Sequence, residues 1–590
     1  MQEYIRLEKK YSDCLSVLNR RYNILGILRL IIVIIFFVGF YSYITDPAPV
    51  KIFFLFLMVI LFLIIIKIHL NIAGHLRITE TLLNINRDEI TFLKHEGIPF
   101  ADGSEFKDTN HLCAYDLDFF GSQSLFQHLN RTATYPGKKK FAQLLLSLLP
   151  GKEIILNQAA IRELSGMTDW RQHLTALGKI NNDNKAVYEK LIQWTTGKNE
   201  TLPKTTLAAA FLSPAVMCIF LFSYLVFKDV LFIKLMNLLV VFNLAVLVSQ
   251  YKKIKKELVG ADKVYKIIQQ YALVIDKIGK EKFKSEKLIF LQSKLTAQNT
   301  DAGAELKKLS LFFHRMERIN DMFISAIFNG FFLYHLHVLN GLLKWKKEFA
   351  LRIPEWLEVI GETEALSCLA NFSYNNPQFA FPALNTRFNI RFGECGHPLI
   401  RQEKRICNTA DFNTHQFIIL TGSNMSGKST WLRTLGVNMM LAGIGSPVCA
   451  ADADVHPMPV LASMRLDDSL SENESYFFAE VKRLKNILNA LDAGAGFIIL
   501  DEILKGTNSD DKRGGTLAIL KKLISKKATG VLATHDLEIC RITGEHPGYM
   551  ANKCFEADII NDSLVFDYRI REGICKNKTA TFLMKQMEII

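Results

Sequence analysis

The sequence predicts a composite fold: a C-terminal α/β domain built around a phosphate loop, a mostly α-helical region before it, and two transmembrane helical hairpins. Three observations predict it. The string "TGSNMSGKST" (421–430) lies between a short β-like apolar run and a helix-periodic run. Two more apolar runs downstream, "GFIILDE" (496–502) and "GVLATHD" (530–536), each deliver reactive side chains at their ends. Four long apolar stretches occupy parts of the first 251 residues. A chain of 590 residues has room for several domains and a large buried core.

The first element is an N-terminal cytoplasmic segment, 1–22, and a hairpin at 23–70 follows it. "LIIVIIFFVGFYSYI" (30–44) and "IFFLFLMVILFLIII" (52–66) are uncharged, and Asp46, Pro47 and Pro49 between them supply a turn. Each extends at its ends toward the roughly 20 residues that cross a bilayer. Hydrophobicity on every side, with no polar face, favours spans over buried globular helices. A signal peptide fits less well, because there are two apolar stretches and no convincing small-residue cleavage site. Residues 71–115 read as a connector.

A second hairpin covers 205–251. "TTLAAAFLSPAVMCIFLFSYLVF" (205–227) has no charge, and Pro214 is tolerable within a membrane helix. "VLFIKLMNLLVVFNLAVLVSQY" (230–251) carries Lys234 near one end, where it can snorkel. Arg20, Arg21, Lys67, Lys198, Lys204, Lys252, Lys253, Lys255 and Lys256 flank the outer ends, which positive-inside logic places in the cytoplasm. Four spans then keep the C-terminal domain in the cytosol of a multi-pass cell-membrane protein. A fifth apolar stretch, 322–343, has no Asp, Glu, Lys or Arg. An odd span would put the two halves of the core on opposite sides of the membrane. The stretch is therefore expected to be one long buried lever helix. His335 and His337 within it do not share a helical face, so a core pair is expected rather than metal ligands.

Hydrophobic residues make up 49% of the chain and mean hydropathy is +0.14, an excess concentrated in these stretches. The ten cysteines are scattered without a C-x-x-C pair, which argues against zinc or a disulfide framework. A net charge of +13 suits nucleic acid, anionic lipid, or both. The runs "KKIKKE" (252–257) and "KEKFKSEK" (280–287) read at least as well as juxtamembrane signals and a solvated helix face as they do as a DNA contact.

In the C-terminal part, Gly422, Gly427, Lys428 and Ser429 fit G-x-x-x-x-G-K-[ST]. "QFIIL" (416–420) before it reads as a buried strand, and Leu432, Leu435, Met439 and Leu441 after it recur near helical spacing. Strand, loop and helix let the backbone N–H groups of Gly422, Ser423, Asn424, Met425, Ser426, Gly427, Lys428, Ser429 and Thr430 face phosphate oxygens. Lys428 is then the residue for the β- and γ-phosphates, and the Ser429 hydroxyl a Mg²⁺ ligand. Asp501, at the tip of its strand, suits the same Mg²⁺, and Glu502 suits a base that orients water. His535 reaches the same sheet edge as a γ-phosphate sensor. The cofactors are ATP and Mg²⁺.

These residues carry a family resemblance. "TGSNMSGKSTWLRTLGVNMMLAGIGSPVCA" and "LDEILKGTN" (500–508) resemble the ATPase domain of MutS proteins, and "FGECGHPLI" (392–400) is similar to the family's Gly-His-Pro segment. "SLSENESYFFAEVKRLKNIL" (469–488) resembles its composite-site segment, with Ser475 as N-cap and an apolar stripe of Phe478, Val481, Leu484 and Leu488. The resemblance implies that Ser475 meets the γ-phosphate held by a second subunit, in a homodimer of the ABC-type ATPase class. Weaker likenesses at 116–150 and 356–384, and at the closing strand and helix from 565, imply the domain plan. A MutS-like helical core and lever domain spans 116–355, interrupted by the second hairpin, and an ABC-type P-loop ATPase domain spans 356–590.

The departures bear on function. There is no room for a separate mismatch-reading domain and no Phe-x-Glu wedge in the N-terminal region. Position 423 is Ser where the repair proteins carry Pro, and "RICN" (405–408) offers only Ile406 toward adenine. The leading expectation is a membrane-anchored MutS-like ATPase that binds DNA, mismatched or branched. The alternative is a membrane mechanochemical ATPase or adaptor acting on a protein or lipid partner. Two separated hairpins and no "LSGGQ"-like segment argue against an ABC transporter.

Overall fold

Two helices of 44 and 45 residues, Gln2–Thr45 and Pro49–Leu93, pack side by side and are joined by a three-residue turn. At 1.5 Å per residue each is roughly 65 Å long, about twice the hydrocarbon thickness of a bilayer. The two ends of this hairpin differ in chemistry. Near the turn, Phe37, Val38, Phe53 and Phe56 are exposed, whereas at the base Tyr4, Leu7, Tyr11, Leu82 and Leu83 are buried. The computed structural model describes residues 1–198, 200–258, 264–297, 300–320, 322–465, 476–560 and 563–576. Among these, four helices are long and apolar enough to cross a membrane by length and composition. The other two are Lys204–Phe227, with Pro214 inside it, and Val230–Glu257.

Three expectations need correction. Residues 71–115 are not a connector in their first part. The helix runs unbroken to Leu93, because Leu82, Leu83, Asn86, Glu89 and Ile90 keep a buried face at helical spacing. Nor is 322–343 one lever helix. It breaks at Leu333, which is buried in the left-handed region at φ 46°, and the two pieces meet at 82°. The Asn329 side-chain oxygen accepts from the His335 backbone N–H at 2.9 Å and so caps the second piece. Finally, the boundary at 356 falls inside the helix Ile353–Asn375, which packs in the helical core.

That helix is the axis of the core. From Val359 to Asn371 every residue except Glu362 is buried. Two of its polar side chains, Glu364 and Asn371, find partners across the core, while among the described residues the Thr363 and Ser367 hydroxyls have none. Glu364 accepts from the Thr134 N–H at 3.1 Å, the Thr134 hydroxyl at 3.0 Å and the Ala133 N–H at 3.3 Å. Asn371 accepts from Arg171 at 2.8 Å and Tyr4 at 3.3 Å, and donates to Glu89 at 3.0 Å. Glu89 in turn pairs with Arg131 at 2.5 Å. At the base of the second hairpin, buried Glu257 pairs with Lys346 at 2.9 Å and accepts from the Trp194 indole at 2.9 Å.

The ATPase-like region is a six-stranded sheet. Its order is Ser563–Glu572, Met550–Ile560, Phe417–Gly422, Thr529–Ala533, Phe497–Asp501, Val460–Ser463, parallel except for the first pair. The central strands are buried on both faces, which is why they read as continuous apolar runs. Register pairs Ala533 with both Leu420 and Asp501, so three strand tips end at one level. A smaller four-stranded sheet, formed by Ala383–Leu384, Asp452–Val455, Ile390–Cys395 and Asn408–Asp411, lies beside it in the chain.

Burial without a countercharge pushes the Glu364 carboxyl up to about 7. Between pH 4.5 and 7 the folded protein holds a proton that the unfolded chain has released, so stability falls as pH rises through that window. Thermal unfolding of the detergent-solubilised protein is expected to show a midpoint that declines from pH 5 to pH 7.5. In Glu364→Gln that decline should largely disappear, and parallel curves for the two proteins would refute the assignment.

Candidate nucleotide site

The strand Phe417–Gly422 is buried along its length and hands the chain to the loop Ser423–Gly427 and the helix Lys428–Gly443. Gly427 takes φ 102°, a conformation that favours glycine, and a Cβ there would stand 3.1 Å from the Tyr568 ring. Lys428 is buried, and its ammonium donates to the carbonyls of Gly422 and Ser423, each at 2.9 Å. These bonds curl the loop around the lysine. Burial lowers the Lys428 pKa, and Glu502 and Asp501 act in the opposite direction.

Across the loop, the Ser429 hydroxyl donates to Asp501 Oδ2 at 2.6 Å. The next residue, Glu502, sits at φ 51°, outside ordinary strand geometry, and its N–H donates to the Ala533 carbonyl at 3.0 Å. This turn aims its carboxylate at His535, whose Nε2 lies 2.8 Å away. Lys428 Nζ also approaches that nitrogen, at 3.4 Å. One ring nitrogen cannot donate and accept at once. The shorter, charge-assisted contact assigns the Nε2 proton to the Glu502 bond. Chiefly through the hydrogen bond from His535, the Glu502 carboxyl is pulled down to about 2, so it is an anion at neutral pH.

The predicted residues of the loop, Asp501, Glu502 and His535 therefore meet at one sheet edge. Asn424, Met425 and Thr430 are exposed on its rim. Ser475 lies outside the described residues. The helix after it begins at Tyr476, and only the Leu484 and Leu488 half of the expected stripe packs inward. Phe478 and Val481 are exposed, while Glu480, Leu484 and Ile487 turn inward. The reason is Glu480, whose carboxylate accepts from the N–H groups of Leu504 at 2.7 Å and Lys505 at 3.0 Å. This clamps the loop that follows Asp501 and Glu502.

Apart from Ile406, the further residues of the site were not visible as site residues in the sequence. A cavity of about 480 Å³ opens from the loop and is lined also by His397, Lys404, Ile406, Asn408 and Tyr568. Tyr568 lies 140 positions beyond Lys428 in a strand. A bulge between Phe566 and Ile570 turns it toward the loop at φ 54°. Asn408 holds the bulge, donating to the Tyr568 carbonyl and accepting from the Ile570 N–H, each at 2.9 Å. Two chain segments meet there, so no local motif announces the contact.

The arrangement suits a nucleoside triphosphate with Mg²⁺. The hydroxyls of Ser423 and Ser426 are buried and, among the described residues, have no hydrogen-bond partner. Each is a donor in want of an oxygen. Ser429 and Asp501 supply the one hydroxyl and one carboxylate that a Mg²⁺ bound mainly through phosphates needs.

Residues 418–586 match the family of MutS domain V. The chain is 32% identical to MutS protein homolog 4 of Homo sapiens over 194 residues, 31% of this chain and 20% of that protein. It is 30% identical over 205 residues to the DNA mismatch repair protein MutS of Alkaliphilus metalliredigens, 33% of this chain and 23% of that one. With the DNA mismatch repair protein MutS of Thermotoga maritima it shares 29% identity over 240 residues, 39% of this chain and 29% of that protein. The chain thus spans less than a third of the length of these curated relatives.

Removing the Glu480 carboxylate should release the loop around Lys505. In Glu480→Ala, trypsin is expected to cut after Lys505 about tenfold faster than in the parent, since two charge-assisted hydrogen bonds are lost. An unchanged cleavage rate would show that the clamp does not hold the loop.

Proposed function

We propose that the chain, whose residues 418–586 match MutS domain V, is a membrane-anchored MutS-type ATPase acting as a homodimer. The observation that carries this reading is the convergence of Lys428, Ser429–Asp501 and Glu502–His535 at the tips of three strands. Ser429 and Asp501 would hold a Mg²⁺, which would supply positive charge against the charge developing on the phosphate. Lys428 exchanges its two carbonyl partners for phosphate. Glu502, anionic and fixed by the His535 hydrogen bond, orients the attacking water. Tyr568 and Ile406 offer apolar surface to the adenine. Exposed Met425, Phe477 and Val481 suit burial against a second subunit, which would bring Ser475 across the interface.

The membrane reading rests on the outward-facing apolar halves of both hairpins and on the basic residues at their cytoplasmic ends. Through its long helices the first hairpin continues from bilayer to core without a joint. The partner carried over from the family is DNA, suited by the net charge of +13. A second reading, a mechanochemical ATPase acting on a membrane protein or lipid, is favoured by one observation. The helices Ala302–Glu317 and Tyr334–Phe349 end against the second hairpin in apolar packing through Met316, Leu336 and Leu339.

Lys428→Ala and Glu502→Gln are expected to lower ATP turnover by about 10²-fold or more, the latter with nucleotide binding retained. Unchanged turnover in both would refute the site. For the partner, the full-length protein in detergent should bind DNA tightly at low salt and lose it steeply as salt rises. No binding even at low salt would leave the second reading. External protease on intact cells should spare 67–204, and cleavage there would refute the topology.

A further inference from the structure

The piece Met322–Phe332 has its polarity reversed relative to a globular helix. Ser325 and Asn329 are buried, at 8% and 0% exposure, while Phe323 is 81% exposed and Ile327, Phe328 and Phe332 are each 47% exposed. A water-facing helix buries its apolar side and shows its polar one. No Asp, Glu, Lys or Arg occurs from 322 to 343 to offset that apolar surface. The piece packs against both helices of the second hairpin. Its outward phenylalanines join the exposed apolar belt of that hairpin, which includes Leu212, Ile219, Phe242 and Val248.

The backbone accounting points the same way. Pro214 has no N–H, so the Ala210 carbonyl four residues earlier loses its helical donor. His337 Nε2 lies 2.8 Å from that oxygen and supplies the missing bond. The break at Leu333 likewise interrupts the bonding of Gly330, and its carbonyl accepts from the Asn243 amide at 2.7 Å. Asn243 accepts in turn from the Ser213 hydroxyl at 2.6 Å, and Asn329 pairs with His335 at 2.7 Å. Gly330 permits close approach, since a Cβ there would stand 3.0 Å from Val240. Side chains satisfy the acceptors freed by both irregularities, as a setting without water demands.

We infer that Met322–Phe332 is a re-entrant membrane segment. It lays Phe323, Ile327, Phe328 and Phe332 against lipid acyl chains and is latched to the second hairpin by Asn243 on the Gly330 carbonyl and, just beyond the break, by His337 on the Ala210 carbonyl. The inference rests on the membrane reading of that hairpin. It adds a third bilayer contact, made by the core itself, and leaves both ends of the segment in the cytoplasm.

Power-saturation EPR on the full chain in phosphatidylcholine vesicles tests it. Cys14, Cys218 and Cys407, the accessible thiols, are first replaced by Ser. A nitroxide is then placed at Phe323→Cys or Phe328→Cys. Phe222→Cys in the second hairpin serves as the lipid control and Phe388→Cys in the ATPase region as the aqueous one. The expected result is an oxygen-to-nickel-complex accessibility ratio at 323 and 328 equal to that at 222 and several-fold above that at 388. A ratio at 323 and 328 matching 388, with 222 lipid-like, overturns the re-entrant segment alone. Labels shielded from both reagents overturn it in favour of a protein covering that face. An aqueous reading at 222 overturns the hairpin and this inference together.

Discussion

The helix Ile353–Asn375 imposes the constraint on which the rest of the molecule depends. A helix buried over most of its surface cannot leave a carboxylate or an amide wholly unpaired without a cost of about 1–5 kcal/mol. Glu364 and Asn371 therefore dictate what surrounds them. Glu364 gathers the turn at Ala133 and Thr134 that opens the helix Tyr135–Leu145. Asn371 gathers Arg171 from the core, and Tyr4 and Glu89 from the two helices of the first hairpin. A few residues later the same chain enters the small sheet of the ATPase region. Hairpin, core and nucleotide-binding region are fastened to one rigid rod.

A second set of contacts reaches the far edge of the large sheet. Asp116 accepts from the N–H groups of Met464 and Arg465 at 2.7 and 2.8 Å, and from Arg483 at 2.7 Å. Arg483 stands on the same helix as Glu480, the residue that clamps the loop after Glu502. That helix therefore contacts both the start of the core and the loop beside the candidate site. At the other end of the core, the buried Glu257–Lys346 pair lies beneath the second hairpin. The path is continuous packing and ion pairing between elements, not a flexible tether.

The two apolar hairpins are built differently. The first is long and straight, and its apolar half and its packed half are separate stretches of the same helices. The second is short and irregular, with Pro214 and a left-handed Lys228 at its turn, and it recruits a neighbour to complete its hydrogen bonding. Irregular backbone in hydrocarbon survives only where side chains replace the lost donors.

Where one property decides the outcome, residue order alone was enough. The phosphate loop, the apolar strands before Asp501 and Thr534, and the four apolar helices are local patterns, and a buried strand or an all-apolar helix has few alternatives. Reactive groups at strand tips were legible for the same reason, because a parallel sheet aligns its ends. What tertiary structure alone decided depends on partners distant in the chain. Leu333 breaks a helix that composition leaves whole, because Asn329 and Asn243 are there to satisfy the exposed backbone. Glu480 turns inward against an apolar expectation, because Leu504 and Lys505 present two N–H groups to it. Tyr568 reaches the nucleotide cavity only through a bulge held by Asn408. Hydrophobic pattern sets which residues leave water, but the pairing of buried polar groups sets the geometry, and those pairs exist only once the chain has folded.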